Sequence, residues 1–446
     1  MATGVTQRGQ TPMRHASSHG DPNGAVMTHR GLAPLRHDRP GNVPRMTASP
    51  APGVPILDED PYAEEHLVDP YPLFDRMLEA GPAVWLPQYE VHAFTRFDAC
   101  HEILIDHETF ISGAGVGPVN LHVTPNWRPQ GILESDPPRH TPMRTAMTGV
   151  IAPRKMRALR PGFDAYAAEL AERVVAAGDI DLVHDIAEAF TLRVFGDAVG
   201  IPREGREVHL VRHGAMNFSY FGPDNERHRW FVEEGLDTID WVMENCAREN
   251  LTPDGMGAKI WEYADQGVIP PEQAVLLVRA MLSAGLDTTI QAISITLKLL
   301  AEHPDQWAQV HADPELAKFA IDEALRFDSP FQSFFRTTSR DVEIDGVHLP
   351  AGTKLLLFLG AANRDPRRWG DDAGTFDISR NASGQLSFGM GIHQCVGQPI
   401  SRQESDAMVS ELARRVARLE LTDTPTPFVH NTLRGWVAAP ARLTPA

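Results

Sequence analysis

Phe388-Gly-Met-Gly391-Ile-His393-Gln-Cys395-Val-Gly397 sets a single cysteine among glycines, just ahead of a stretch with helical periodicity. A thiolate is a soft, electron-donating ligand, and a lone cysteine at a helix start is poised to lose its proton. The glycines let the backbone bend and approach a flat object closely, where any side chain would stand in the way. Phe388, seven residues upstream, is placed to pack beside the sulfur and keep water from it. Taken alone, Cys395 reads first as a small buried apolar residue, as most free cysteines are.

The spacing alters that reading. Phe-x-x-Gly-x-x-x-Cys-x-Gly defines four positions, and residue frequencies put a chance match at on the order of one in a thousand. The pattern resembles the haem-binding loop of the cytochrome P-450 monooxygenases, which implies that the Cys395 thiolate is the proximal ligand of a haem b iron. The same resemblance implies a single large fold, mainly α with small β-sheets, with a long central helix over the haem.

Other segments meet the demands of that resemblance. Glu323-Ala-Leu-Arg326 lies in a stretch, 314–327, that reads as helix, and residues three apart share a helix face. Read locally, this is an ordinary surface ion pair; the family likeness implies a structural lock behind the haem. Ala284-Gly285-Leu286-Asp287-Thr288-Thr289 interrupts an apolar run over 271–300 that begins at Pro270-Pro271, proline being tolerated in a first helical turn. Glycine within a helix costs roughly 1 kcal/mol relative to alanine. The local reading is a kinked core helix; the resemblance implies an oxygen-binding groove in which Gly285 makes room for dioxygen, while Asp287 and Thr288 deliver protons. In Asp136-Pro-Pro-Arg139-His140-Thr-Pro-Met-Arg144, His140 and Arg144 are four apart and share a face. By the resemblance these two, with Arg336 and His393, hold the haem propionates, which need converging donors to be buried.

Further segments are similar to a narrower bacterial group that oxidises para-substituted benzoates, often by O-demethylation. They are Trp127-Arg128-Pro129, Phe218-Ser-Tyr-Phe221-Gly-Pro-Asp-Asn, Leu277-Val-Arg279-Ala-Met-Leu-Ser283, Ser329-Pro-Phe-Gln-Ser-Phe334-Phe-Arg336 and Asn431-Thr-Leu-Arg434-Gly435. The likeness implies that Arg128 holds a substrate carboxylate and that Phe218, Phe221 and Phe334 sandwich its ring, with Arg279 and Ser283 also at the substrate. Gly131 and Ala280 stand where that group carries assisting hydroxyls. Either Arg128 is the main anchor, or the site has turned to a phenol or another less acidic aromatic. The plainer alternative makes these phenylalanines ordinary core and Arg128 a surface charge.

Length and charge bound the rest. A chain of 446 residues suggests two or three domains on length alone; the resemblance overrides this by implying one large helical unit, and long helical periodicities over 163–177, 271–300 and 399–419 support it. Strand-like alternation is clearest over 342–347, closed by Asp345-Gly346, and over 353–359. Residues 1–50 are rich in Gly, Pro, His and Arg and lack periodicity, so they are expected to be a disordered tail preceding a domain over 51–446. With six arginines against two aspartates the tail carries +4 of a net charge of −18, leaving about −22 on the remainder. It holds no apolar core of a signal peptide and no span of membrane length. A transit peptide, translation from Met46, or a plain disordered tail all remain open, and the latter two are favoured.

Three cysteines make a disulfide framework implausible, and Cys100 and Cys246 read as core residues. A reducing cytoplasm is the expected location, and the acidic body argues against nucleic acid as a partner. By resemblance the expected partners are a small aromatic substrate, O2, and a [2Fe–2S] ferredoxin with its reductase drawing electrons from NAD(P)H, for a monomeric enzyme without membrane attachment. Three other functions compete: a natural-product tailoring oxygenase acting on a larger scaffold, a peroxide-driven haem enzyme, and a haem gas sensor.

Overall fold

The computed structural model describes residues 49–123 and 131–446; Arg128, the expected carboxylate anchor, and most of the 1–50 tail lie outside them. Helices dominate. One apolar core runs from Met143 to Leu443 and gathers helices from most of the chain, and two smaller cores flank a mixed sheet. That sheet orders its strands Ala83–Leu86, Val91–Phe94, Lys354–Phe358, Ser333–Thr338 and Phe110–Ile111. Three of them cover both faces with apolar side chains, as buried strands do. The expected strand over 342–347 is instead a hairpin, Val342–Ile344 paired with Val347–Leu349. Asp345 and Gly346 both adopt positive φ, 48° and 78°, the conformation of a tight two-residue turn.

The expected central helix is two segments, Pro271–Gly285 and Asp287–Glu302, broken at Leu286. By length and apolarity the span Pro271–Glu302 would pass for a membrane helix, yet 67% of its most apolar window is buried inside this fold. The helix expected over 163–177 starts earlier, at Pro153, and continues through Pro161. A proline inside a helix removes one hydrogen bond; here the helix packs against the segment Gln398–Arg415, and tertiary contact carries it through. The helix expected to reach residue 419 stops at Arg415, because Val416–Leu421 is drawn into a strand against Pro440–Pro445.

Glu323 and Arg326 are both fully buried on the helix Ala317–Phe327, so the pair is not a surface one. Arg326 donates to both Glu323 oxygens, at 2.7 and 2.8 Å, and to the carbonyls of Asn363, Ala373 and Thr375 at 2.9, 2.8 and 3.2 Å. Five acceptors on one guanidinium compensate the desolvation that would otherwise make a buried charge costly. This lock holds the irregular segment leading to the cysteine loop.

Candidate active site

The cysteine loop is closed by the Cys395 amide, which donates to the Phe388 carbonyl at 2.7 Å. Gly389 and Gly391 take positive φ, 63° and 72°. A Cβ on Gly391 would meet the Leu104 carbonyl oxygen at 2.4 Å, so the loop is pressed onto the helix Phe97–Ile105; in front of Gly389 there is open space. Cys395 has an accessible surface, although protein atoms crowd it densely enough to push the thiol up. Against burial work the amides of Gly397 and Gln398 and the charges of Arg144 and Arg402, all of which favour thiolate. Phe388 packs at the core margin with the Arg402 guanidinium 4.7 Å from its ring centre.

Around the loop the four expected propionate donors do converge. The rings of His140 and His393 lie 4.6 Å apart, edge to face. The charges of Arg336, His140 and Arg144, and of a group not singled out in the sequence, His107, all bear on His393. After desolvation, these push its imidazole down to about 2. Burial lowers Arg336 to about 10, with Asp136 opposing. Arg144 is also engaged with the loop, donating to the Gln394 carbonyl at 2.6 Å. The Nε2 atoms of His140 and His393 are buried without a hydrogen-bond partner among the described residues. Crowded basic groups with orphaned donors are unfavourable in isolation and suit a buried anion. Haem fits here: Cys395 would ligate its iron, the Gly389 face would admit its plane, and His140, His393, Arg336 and Arg144 would receive its propionates.

The two central segments meet at Leu286, whose carbonyl still accepts from the Thr289 and Ile290 amides at 3.0 and 2.9 Å. The Thr288 hydroxyl donates to the Ala284 carbonyl at 2.7 Å, and Ala284 is exposed and Thr288 half-buried between mostly buried neighbours, which marks a groove. Asp287 is buried, and neither carboxyl oxygen has a partner among the described residues. Burial first, then the Glu188 carboxylate, hold its proton affinity well above the usual carboxylate range. Gly285 behaves differently from expectation. A Cβ there would meet the Phe195 ring at 2.2 Å, so the missing side chain lets the helix Ala189–Val199 pack close, and the space for oxygen is not at that face.

The expected substrate phenylalanines are brought together, but not as a sandwich. Phe331 is the hub: its ring lies 4.1 Å from Phe334, 5.5 Å from Phe218 and 6.4 Å from Phe221, with Leu433 completing the cluster. The rings pack on one another as a continuous apolar wall. The Thr432 hydroxyl braces it by donating to the Phe218 carbonyl at 2.9 Å. Ser283 is buried, its hydroxyl without a partner among the described residues, while the charge of Arg279 falls on His213 and Cys246.

Sequence reasoning missed Phe331, His107 and Glu404. Glu404 sits within Gln398–Arg415, fully buried with both oxygens unpartnered among the described residues, and burial drives its proton affinity well above normal. An acid on the apolar face of the helix after Cys395 was the available signal.

Comparison with known proteins agrees with this geometry. The cytochrome P-450 family profile matches residues 256–435. A cytochrome P-450 of Rhodopseudomonas palustris is 46% identical over 396 residues, covering 88% of this chain and 96% of that one. The 6-deoxyerythronolide B hydroxylase of Saccharopolyspora erythraea is 30% identical over 290 residues, 64% and 70% of the two chains. A solved cytochrome P-450 from Chondromyces apiculatus superposes with a TM-score of 0.73 at 26% identity, over 87% of this chain and 99% of that one. With an accessible thiolate candidate, a buried basic cradle and a broken central helix already in place, the chain belongs to the cytochrome P-450 family of monooxygenases, which carry haem b on a cysteine thiolate.

Proposed function

We propose that this enzyme inserts one oxygen atom into a small aromatic substrate, by hydroxylation or O-demethylation of a para-substituted benzoate. The observation that carries this reading is the contiguous wall of Phe218, Phe221, Phe331 and Phe334, which offers stacking and edge contacts to a single ring. Arg128 would anchor the carboxylate, a charge-assisted contact of roughly 1.5–3 kcal/mol when buried.

Haem, when bound, supplies oxygen activation and one-electron chemistry; the protein supplies position, protons and dryness. One oxygen atom enters the substrate and the other leaves as water, consuming two electrons and two protons. Asp287, whose proton affinity burial raises well above the usual carboxylate range, would give a proton through the Thr288 hydroxyl. Arg144 and Arg402 would favour the ionised Cys395 sulfur against the burial that pushes the thiol up. With a methoxy substrate, hydroxylation yields a hemiacetal that collapses to a phenol and formaldehyde.

Electrons would come from a [2Fe–2S] ferredoxin and an NAD(P)H-dependent reductase in the cytoplasm. On the outer side of Cys395 a groove of about 1020 Å³ is lined by Arg144, Arg157, Arg160, Lys318 and Arg402, with Glu315 and Asp406. Cations outnumber carboxylates there, although the body is acidic, and this suits an acidic donor.

A screen of substrate-induced haem spin-state shifts tests the proposal. 4-Methoxybenzoate should bind and shift wild type, and Arg128→Ala should lose most of that affinity while keeping neutral analogues. Absence of any shift with benzoates, together with a shift on a large polycyclic or macrocyclic scaffold, would overturn it in favour of a tailoring enzyme.

A further inference from the structure

Three consecutive residues, His430, Asn431 and Thr432, each bind the helical hairpin formed by Arg206–Ser219 and Glu226–Gly235. His430 Nε2 donates to the Ala215 carbonyl at 3.0 Å and Thr432 Oγ1 to the Phe218 carbonyl at 2.9 Å, both within the first helix. Asn431, which is buried, reaches the corner beyond it. Its Nδ2 donates to Asn225 Oδ1 at 2.9 Å and to the Pro223 carbonyl at 3.4 Å, while its Oδ1 accepts from Asn225 Nδ2 at 3.1 Å. The two amides face each other with both bonds made. Asn225 Oδ1 also accepts from the His228 amide at 2.9 Å and so caps the second helix. Backbone partners at Pro223 and His228 therefore fix which way each amide points. Gly222 permits the approach, since a Cβ there would meet Asn431 Cβ at 2.5 Å.

The same loop holds the facing rings. The Gln332 amide donates to the Thr432 carbonyl at 2.9 Å, and Phe331 forms a β-bridge with Leu433. Gly117 lies against the corner as well: a Cβ on it would come within 2.6 Å of the Tyr220 carbonyl oxygen and 3.2 Å of Phe221 Cα. The corner that carries Phe221 is gripped between two loops, and moving it away from Phe331 and Phe334 would part the amide pair. Taken by itself, an asparagine pair across a turn is a plain structural tie. Its position behind the ring wall argues for more, and so does its chemistry. Neutral amide bonds exchange for water at small net cost, so this tie can open to admit a ligand and close again.

We infer that Asn225 and Asn431 set the upper size limit on the substrate, an inference that rests on the ring wall lining the space where substrate binds. Closed, the clasp holds Phe218 and Phe221 against Phe331 and Phe334 and favours single-ring ligands; without it the corner yields and bulkier scaffolds enter. Discrimination against a large scaffold then comes from a steric stop as well as from contacts to the small one.

The test uses haem-loaded wild type, Asn431→Ala, the double variant and Asn225→Ser, which keeps a capping oxygen for the second helix. Two azoles that ligate haem iron whatever the natural substrate, 4-phenylimidazole and the triphenylmethyl compound clotrimazole, are titrated by their spectral shifts. Deuterium uptake is followed over 219–225 and, as a control, over 317–327. Wild type should bind the smaller azole at least about tenfold more tightly, and each single variant should shrink that ratio by roughly threefold or more. The double variant should go no further, because both residues serve one clasp. Uptake should rise over 219–225 and stay unchanged over 317–327. A wild type that binds both azoles alike, or variants that keep its ratio whatever their uptake, would reduce the pair to a structural tie and overturn the inference. Loss of the ratio in the variants, when no benzoate shifts wild type, would sink the aromatic-acid reading and leave the size limit standing.

Discussion

Thr289 donates its hydroxyl to that of Ser401 across 3.1 Å, joining the distal helix to the helix that follows Cys395. The two elements that would face opposite sides of the haem are therefore tied by side chains as well as by apolar packing. Glu404 lies three residues further along the second helix, buried on it. The groove and the sulfur are held in one rigid body, and that rigidity keeps a reacting geometry from drifting.

The Glu323–Arg326 pair is the structural weak point. Glu323→Ala leaves a fully buried guanidinium with its carboxylate partners gone, which costs about 3–5 kcal/mol. Denaturant unfolding should show that loss, with poor haem retention. A loss below 1 kcal/mol would mean that the carbonyls of Asn363, Ala373 and Thr375 suffice to satisfy Arg326.

Thr288→Ala removes the hydroxyl that bridges toward Ala284 and leaves Asp287 untouched. NADH consumption and peroxide release should continue while product falls severalfold, measured as product per NADH. Undiminished yield would refute the proton role of Thr288.

Lys354 donates to the carbonyls of Ala114, Gly115 and Val119 at 3.1, 2.7 and 3.2 Å, clasping the loop that runs toward Arg128. Lys354→Met should cost about 2 kcal/mol or more, since it leaves the carbonyls of Ala114, Gly115 and Val119 without their shared donor. Proteolytic cleavage should rise within 112–123, and affinity for aromatic acids should drop more than turnover at saturation. Equal cleavage in both proteins would show that the clasp holds nothing.

Acid should destabilise the fold through His430. Its Nδ1 accepts from the amides of Thr432 and Leu433, both at 3.1 Å, and Nε2 donates to the Ala215 carbonyl at 3.0 Å, so the neutral tautomer is required. Burial pushes its imidazole down from 6.5 to about 3. Between those values the unfolded chain binds a proton that the folded chain refuses, so stability is full above 6.5 and falls as pH drops toward 3. Each such histidine contributes up to about 1.4 kcal/mol per pH unit. His213, pushed down to about 3 as well, should add to the slope. Denaturation midpoints across this range should flatten in His430→Gln; an unchanged slope would exclude it.

The spacing around Cys395 was legible in the chain, and the resemblance it carries pointed to the Glu-x-x-Arg pair, the interrupted central helix and the basic residues at 140, 144, 336 and 393, whereas local spacing alone read Glu323 and Arg326 as a surface pair. Helical limits were not legible, since Pro161 is overruled by packing and Val416 is captured by a strand. Nor could spacing show that Gly285 faces Phe195, that Phe331 is the hub of the ring cluster, or that the Asp287 carboxyl faces Gly214. Those relations join elements far apart in the chain. Burial, orphaned polar atoms and the fields of distant charges exist only once the core has closed, so tertiary structure alone decides them.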